Sequence, residues 1–252
     1  MLRPETEKLW NYLRTSEALA GFVLIGGTAL TLHIQHRLSE DLDFVFLDGT
    51  NGVRLPRTRL NALLIDAGAH GFDFARNNDP AAEDEMEIAG MDLLDYQQDF
   101  LVNGVKVTFF VPEPELTRVV APNPGSTVRI ATVGELFKTK TLVTAERSKS
   151  RDWFDLYVLL KHHGYSIFDY YRAFEEAGQP RKAENGMNRL CLGKPQLDDE
   201  GFEKLVANAP SLEEMAAFFR EQRDRYEIEK SETEAILSGE KEATTNPHET
   251  AS

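Results

Sequence analysis

The sequence predicts an α+β protein, with a mixed sheet in its first half and helices in its second, and three observations carry that prediction. A short apolar run, Phe22 to Ile25, stops at Gly26-Gly27 and passes into residues at helical spacing. Those residues hand over to Asp41-Leu42-Asp43-Phe44-Val45-Phe46, which alternates as a strand does. Asn103-Gly104 stands between two strand-like runs, 97–102 and 105–111, and this pair suits the tight hairpin turn whose two central residues take positive φ. From residue 128 onward the apolar residues recur three and four apart.

Taken in order, residues 4–20 predict a helix, with Leu9, Tyr12 and Leu13 at helical spacing and Pro4 tolerated in the first turn. At Gly26-Gly27 the backbone can turn sharply and leave amide N–H groups free at a helix N-terminus, where an anionic phosphate is favoured. Gly26, Gly27 and Thr28 are therefore candidate phosphate-binding residues, although Thr28 could equally be a helix cap. Strand geometry puts Asp41 and Asp43 on one face. Two carboxylates there suit a hard cation such as Mg2+ that also holds substrate phosphates. Residues 55–68 read as a helix begun near Pro56 and stopped at Gly68, and a Pro-rich loop from PEPEL to APNPG ends this half.

In the second half, Thr132-Val133-Gly134-Glu135 has capping-box spacing, so a helix should run through Lys140 to Thr144. Ser150 can cap the next helix, RDWFDLYVLLKHH, which Gly164 closes. Residues 166–220 are amphipathic helical pieces broken near Gly193-Lys194-Pro195. Past about Tyr226 the chain is polar and Glu-rich, which predicts a fraying helix and then a disordered tail. The expected division is 1–127, 128–225 and a tail of 226–252.

Composition narrows the function classes. With 252 residues and 41% hydrophobic content the chain can bury a sizeable core. Its apolar runs are too short to cross a bilayer and its start, MLRPETEKLW, has no apolar signal core, so a cytoplasmic location is expected. The single cysteine, Cys191, has no intramolecular partner, and no Cys/His cluster suggests zinc. A net charge of −14 disfavours indiscriminate attraction to nucleic acid, so any RNA contact must be local. Lys138, Lys140, Arg147, Lys149 and Arg151 form one short basic stretch, and Glu83, Asp84, Glu85 and Glu87 an acidic one. Lys140 can reach a phosphate as a point charge or sit on a solvated face. Arg151 and Asp155, four apart, could be an ordinary helical ion pair, with Asp152 pointing about 100° away. Arg37 and Ser39 either bind nucleotide or support the loop before the Asp41–Asp43 strand.

The order G-G-T-A-L, then H-R-x-S-x-D-L-D-F at 36–44, then K-x6-R-x3-R-D-x-x-D-L-Y at 140–157 resembles the AbiEii/AbiGii abortive-infection toxin family of nucleotidyltransferases, over roughly residues 20–160. The resemblance implies a polymerase-β-like nucleotidyltransferase fold followed by a helical domain, with a nucleoside triphosphate in the cleft between them. It implies catalytic roles for Asp41, Asp43, Lys140 and Asp152, nucleotide contacts at Gly26, Gly27, Thr28, Ser39 and Arg151, and magnesium at Asp41 and Asp43. It further implies an RNA acceptor, plausibly the 3′ end of a transfer RNA, lying on 138–151, and a cognate antitoxin in a type IV arrangement. One feature departs from the wider fold: Thr108 stands where many of these enzymes place a third carboxylate, so Asp152 would substitute or activity would be conditional. Two other readings remain open on the same residues, a noncatalytic nucleotide-binding or protein-interaction module and an enzyme acting on a small molecule such as an antibiotic hydroxyl.

Overall fold

The structure, a computed structural model, describes residues 1–50 and 54–244. Its first half runs α1 (Pro4–Leu13), β1 (Phe22–Ile25), α2 (Gly26–Ile34), β2 (Leu42–Phe46), α3 (Arg57–Ala69), β3 (Phe74–Arg76), α4 (Pro80–Ile88), β4 (Gln97–Val102) and β5 (Val105–Phe110). Then come α5 (Pro114–Val119), β6 (Arg129–Ile130), α6 (Val133–Val143), α7 (Ser150–His162), α8 (Ile167–Glu176), α9 (Ala183–Leu192) and α10 (Leu212–Thr244). The sheet order is β3-β4-β5-β2-β1-β6. The β5–β2 and β1–β6 pairs are parallel and the others antiparallel, so the sheet is mixed as expected.

Period-two alternation divides this sheet into two faces. One presents Phe22, Leu24, Phe44, Phe100, Val107 and Phe109, all at most 3% exposed, and α1 covers it, with Trp10 stacked 6.5 Å from Phe44. Each such side chain contributes about 1.5–3 kcal/mol on burial. The other face looks toward α6 and carries three rows read from the strand register. Ile25, Asp43, Thr108 and Asp99 stand side by side. Val23, Val45, Phe110 and Gln97 form the next row, and Asp41, Lys106 and Leu101 lie on the far side of the first. The ionisable residues of β2, β4 and β5, namely Asp43, Asp99 and Lys106, stand on this face, whereas the opposite face carries the buried amide Gln98.

The hairpin is as expected: Asn103 and Gly104 take φ of 50° and 88° and join β4 to β5. The capping box is also present, with the Thr132 amide donating to Glu135 at 2.7 Å and the Glu135 amide donating to the Thr132 hydroxyl at 3.3 Å. Several expectations are corrected. The first helix ends at Leu13 rather than continuing to 20, because a short 3-10 turn over Glu17–Leu19 is what brings Leu19 into the core. Ser150 is the first residue of α7, not its cap, and its hydroxyl donates to Asp199 at 2.5 Å. The Pro-rich loop contains α5, begun by Pro114. Past Tyr226, where a fraying helix is expected to give way to a tail, α10 continues to Thr244. No glycine or proline falls between Leu212 and Leu237, and Arg223–Glu227 and Arg225–Glu229 ion pairs support successive turns. The last part of the expected tail, 245–252, lies outside the described residues.

Tyr226 is the last residue of α10 to meet an aromatic cluster, stacking on Tyr171 at 3.8 Å and touching Phe168 at 5.1 Å, whereas Ile228 is 59% exposed. Tyr226→Ala should therefore cost about 1–3 kcal/mol in denaturant unfolding, and Ile228→Ala should stay within about 0.5 kcal/mol of the parent. Equal effects of the two would show that α10 is held along its whole length rather than at this stack.

Candidate active site

The turn after β1 is shaped by what lies against it. Gly26 takes φ of 77°, and a Cβ there would come within 2.5 Å of the Asp43 carboxylate. A Cβ on Gly27 would collide with the Arg37 guanidinium. Glycine at both positions thus lets the first turn of α2 approach the β2 carboxylates and the loop behind them. No side chain caps α2, so its first amides remain available. The Thr28 hydroxyl is buried, 2.8 Å from Ser39 Oγ and in contact with the Asp41 carbonyl. Thr28 and Ser39 therefore brace the loop leading into β2, and what Thr28 has left for a ligand is its backbone.

Asp41 stands just before β2 and Asp43 within it, both half-buried. Burial pushes the Asp43 carboxyl up to about 6, and the neighbouring Asp41 charge adds to the rise. Burial also raises Asp41, against the pull of Arg151 and Lys106. Two neighbouring carboxylates that resist ionisation together would be relieved by a cation between them. Thr108 lies directly opposite Asp43, and its hydroxyl donates to Asp99 Oδ1 at 2.7 Å. A carboxylate is thus present one strand beyond the Thr108 position, a residue that sequence spacing did not single out. Among the described residues no three His, Cys, Asp or Glu side chains gather as a metal site. Asp41 and Asp43 are oxygen donors that could hold a hard cation whose remaining positions go to water and phosphate.

Behind the carboxylate pair lies a buried ion network. Lys140, 6% exposed, places its ammonium 2.7 Å from both Asp152 Oδ1 and Asp155 Oδ2. Asp155 is fully buried and also accepts two bonds from Arg37, at 2.7 and 3.0 Å, and one from His36 at 2.6 Å. Asp152 accepts from Arg147 Nε at 2.8 Å. Burial alone would raise both carboxyls, but Arg37 and Lys140 hold Asp155 well below the ordinary range, and Lys140 and Arg147 hold Asp152 below it. Burial would likewise lower Lys140, and the same two carboxylates keep it raised and charged. Burial lowers His36, so the ring is neutral, with Nε2–H donating to Asp155 and Nδ1 buried without a partner among the described residues.

One cavity of about 240 Å3 brings together every site residue expected from sequence: Gly26, Gly27, Thr28, Ser39, Asp41, Asp43, Lys140, Arg151 and Asp152. Lys106, Arg147 and Lys149 join them. Lys106 was not foreseen because its place near Asp41 depends on the β2–β5 register. The contacts separate two pairs of alternatives and change one expectation. The Arg151–Asp155 pair does not form: Arg151 bonds Glu200 at 2.9 Å, and Asp155 turns inward to Arg37, His36 and Lys140. Arg37 is spent on Asp155 and supports the loop. The basic stretch is not one surface, because Lys138 leaves the cavity to pair with Glu176 at 2.5 Å and Lys140 is buried, leaving Arg147, Lys149 and Arg151 at its edge.

The sequence profile of a family described as nucleotidyl transferase AbiEii toxin, type IV TA system, matches residues 8–238. An uncharacterised protein of Aquifex aeolicus is 23% identical over 205 residues, which is 81% of this chain and 87% of that protein. Among solved structures, JHP933 from Helicobacter pylori is 19% identical with a TM-score of 0.47, covering 94% of this chain and all of that one. A second H. pylori structure, of a candidate nucleotidyltransferase, is 21% identical with a TM-score of 0.44, covering 84% and 89%.

The two pairs of acids predict opposite pH responses. Asp43, raised to about 6 in the folded state, binds its proton more tightly there than in the unfolded chain. It therefore costs stability progressively as pH rises from about 4 to 6. Asp43→Asn should raise stability by about 1–2 kcal/mol at pH 7 in chelator, with the gain vanishing near pH 4 in thermal melts. A gain that persists unchanged at pH 4 would remove ionisation as its cause. Asp155 has the opposite sign, stabilising above the ordinary carboxylate range and losing that contribution as pH falls. Asp155→Ala should cost about 3–5 kcal/mol at neutral pH by stranding Arg37 and Lys140, as read by urea unfolding.

Proposed function

Because this chain belongs to the AbiEii family of nucleotidyl transferase toxins, we propose that it is a magnesium-dependent enzyme moving a nucleotidyl group from a nucleoside triphosphate to an RNA. The observation that carries this reading is a single cavity in which two cation-demanding carboxylates face the uncapped N-terminus of α2 across a set of cationic side chains.

Each residue has a part that its surroundings suit. The amides of Gly27 and Thr28 hold phosphate oxygens at the positive end of the α2 dipole. Asp41 and Asp43 hold magnesium, which when bound offsets charge on the attacking and leaving oxygens. Lys140 spends two N–H donors on Asp152 and Asp155; its third donor, with the remaining Arg147 N–H groups, stabilises charge developing on the pyrophosphate. Asp152 acts by fixing Lys140 and Arg147 together. Lys149 and Arg151 at the cavity edge, with Ser39 behind, position the donor and receive the acceptor RNA, plausibly a transfer RNA 3′ end. The strand-rich half, 1–127, supplies the carboxylates and amides, and the helical half, 128–225, the lysine and arginines.

By the family's description the chain is the toxin of a type IV toxin–antitoxin system, so a cognate antitoxin is its proposed partner. No described helix is long and apolar enough to cross a membrane, and the proposed place of action is the cytoplasm, where triphosphates and RNA are available.

Incubation with magnesium, each α-labelled nucleoside triphosphate and total cellular RNA should place label in RNA. Asp41→Ala and Asp43→Ala should remove it by a factor of at least about 10^3 while melting cooperatively. Label in a small molecule, or in nothing at all, would overturn the RNA reading. Triphosphate binding without any transfer would instead favour a noncatalytic module, in keeping with a threonine at 108.

A further inference from the structure

Beside the charged cavity lies a second, apolar one of about 460 Å3, to which nothing above gives a role. Its floor is the same sheet face. Ile25 belongs to the row of Asp43, and Phe110 and Gln97 belong to the row two residues further along the strands, roughly 7 Å away. Its roof is α6 and α8, through Leu142, Val143 and Phe174. The two cavities share walls at consecutive residues. Ile25 borders the apolar one and Gly26 the charged one, and Thr139 and Lys140 divide in the same way.

We propose that this apolar cavity seats the base of the nucleoside triphosphate whose phosphates lie at α2, with the ring of Phe110 as the surface on which the base stacks. The proposal rests on the transferase reading for the phosphate end only.

Four observations select this occupant. The volume suits a small organic group and is of the size that buries most of one. Phe110 is half-buried and stacks on no other aromatic ring among the described residues, so its face is open to a planar partner. The mouth carries Glu113, Glu115 and Glu146, with Lys182 alone opposing them and already bonded to Glu146 at 2.8 Å. Three carboxylates there repel phosphate and admit an uncharged base, while the adjoining cavity is cationic, so a molecule with an apolar end and a polyanionic end has one orientation across the pair. Finally, Gln97 is oriented: its Nε2–H donates to Asp99 at 2.6 Å, and a carboxylate only accepts, so the amide oxygen is the atom left to accept an N–H from the base edge.

Val143→Phe, on the roof, should fill the cavity without touching the charged residues. Calorimetry with ATP, GTP, CTP and UTP, and with inorganic tripolyphosphate, all with magnesium, should show at least one nucleotide binding the parent about tenfold or more tighter than tripolyphosphate, the lower range of a base–aromatic stack. Val143→Phe should abolish that margin and leave tripolyphosphate affinity unchanged, and the latter also certifies the fold. Phe110→Ala, measured in the same way, should lose the margin by removing the stacking face rather than the space. The phosphate-free nucleosides should shift the methyl signals of Leu142 and Val143 in the parent and lose their effect in Phe110→Ala. Nucleotides binding both variants as tightly as the parent, or nucleosides leaving those methyls unmoved, would overturn the proposal. If tripolyphosphate fails to bind while nucleosides still perturb these methyls, the base seat stands and the phosphate assignment falls.

Discussion

The structure depends most on one fully buried carboxylate. Asp155 receives His36 and Arg37 from the segment between α2 and β2, and Lys140 from α6, while itself belonging to α7. Three pieces of chain, more than 100 residues apart at their extremes, are thereby fixed on two oxygens. Its ionisation is maintained by the guanidinium and ammonium beside it, and theirs by it, so the group is stable as a set and unstable with any member removed. The consequence reaches the cavity directly: Arg37 packs under Gly27, and Lys140 is held where Asp152 and Arg147 meet it.

The second constraint is the pleat. Because side chains alternate across the sheet, one face can be almost entirely apolar against α1, with Gln98 its buried polar member, while the other is free for charge, and the same alternation ranks the functional positions into rows. Asp43 lies opposite Thr108 and Phe110 opposite Gln97, and Asp41 and Lys106 each stand one residue before the Leu42–Val107 pair that begins the β2–β5 register. A slip of one residue in β5 would put Lys106 and Thr108 into the core, which is why register here is a functional quantity and not only a folding one. Asp99 belongs to this order too, joined to Thr108 on one side and to Gln97 on the other.

Much of this was legible in the sequence, and the reasons differ by residue. Gly26-Gly27, the Asp41–Asp43 pair and the Asn103-Gly104 turn are local signals, each with a backbone or strand-face cause that needs only a few neighbours. Lys140 and Asp152 were reachable through their order along the chain. What escaped depends on tertiary register: Lys106 and Asp99 are unremarkable until β5 is laid between β2 and β4. For Asp155, four-residue spacing to Arg151 leaves a surface pair open as one alternative, and periodicity does not disclose that the α7 face bearing Asp155 is buried against His36 and Arg37. Past Tyr226 composition alone does not fix how far the expected helix runs, because a Glu-rich segment without apolar periodicity stays helical where its charges pair four apart.

The charge distribution resolves the apparent conflict between an acidic chain and a polyanionic substrate. The net charge is −14, yet the charged cavity is lined by six lysines and arginines against four carboxylates. Of those carboxylates, Asp152 is compensated from both sides by Lys140 and Arg147. The local balance is therefore positive within a field that is negative elsewhere, and screening over about 8–10 Å at physiological salt keeps the two from cancelling. Such an arrangement draws phosphate to one place and discourages nucleic acid from the rest of the surface. The glutamates around the neighbouring apolar cavity extend this contrast to the scale of a single ligand, separating a position for phosphates from a position for an uncharged ring across two rows of one sheet.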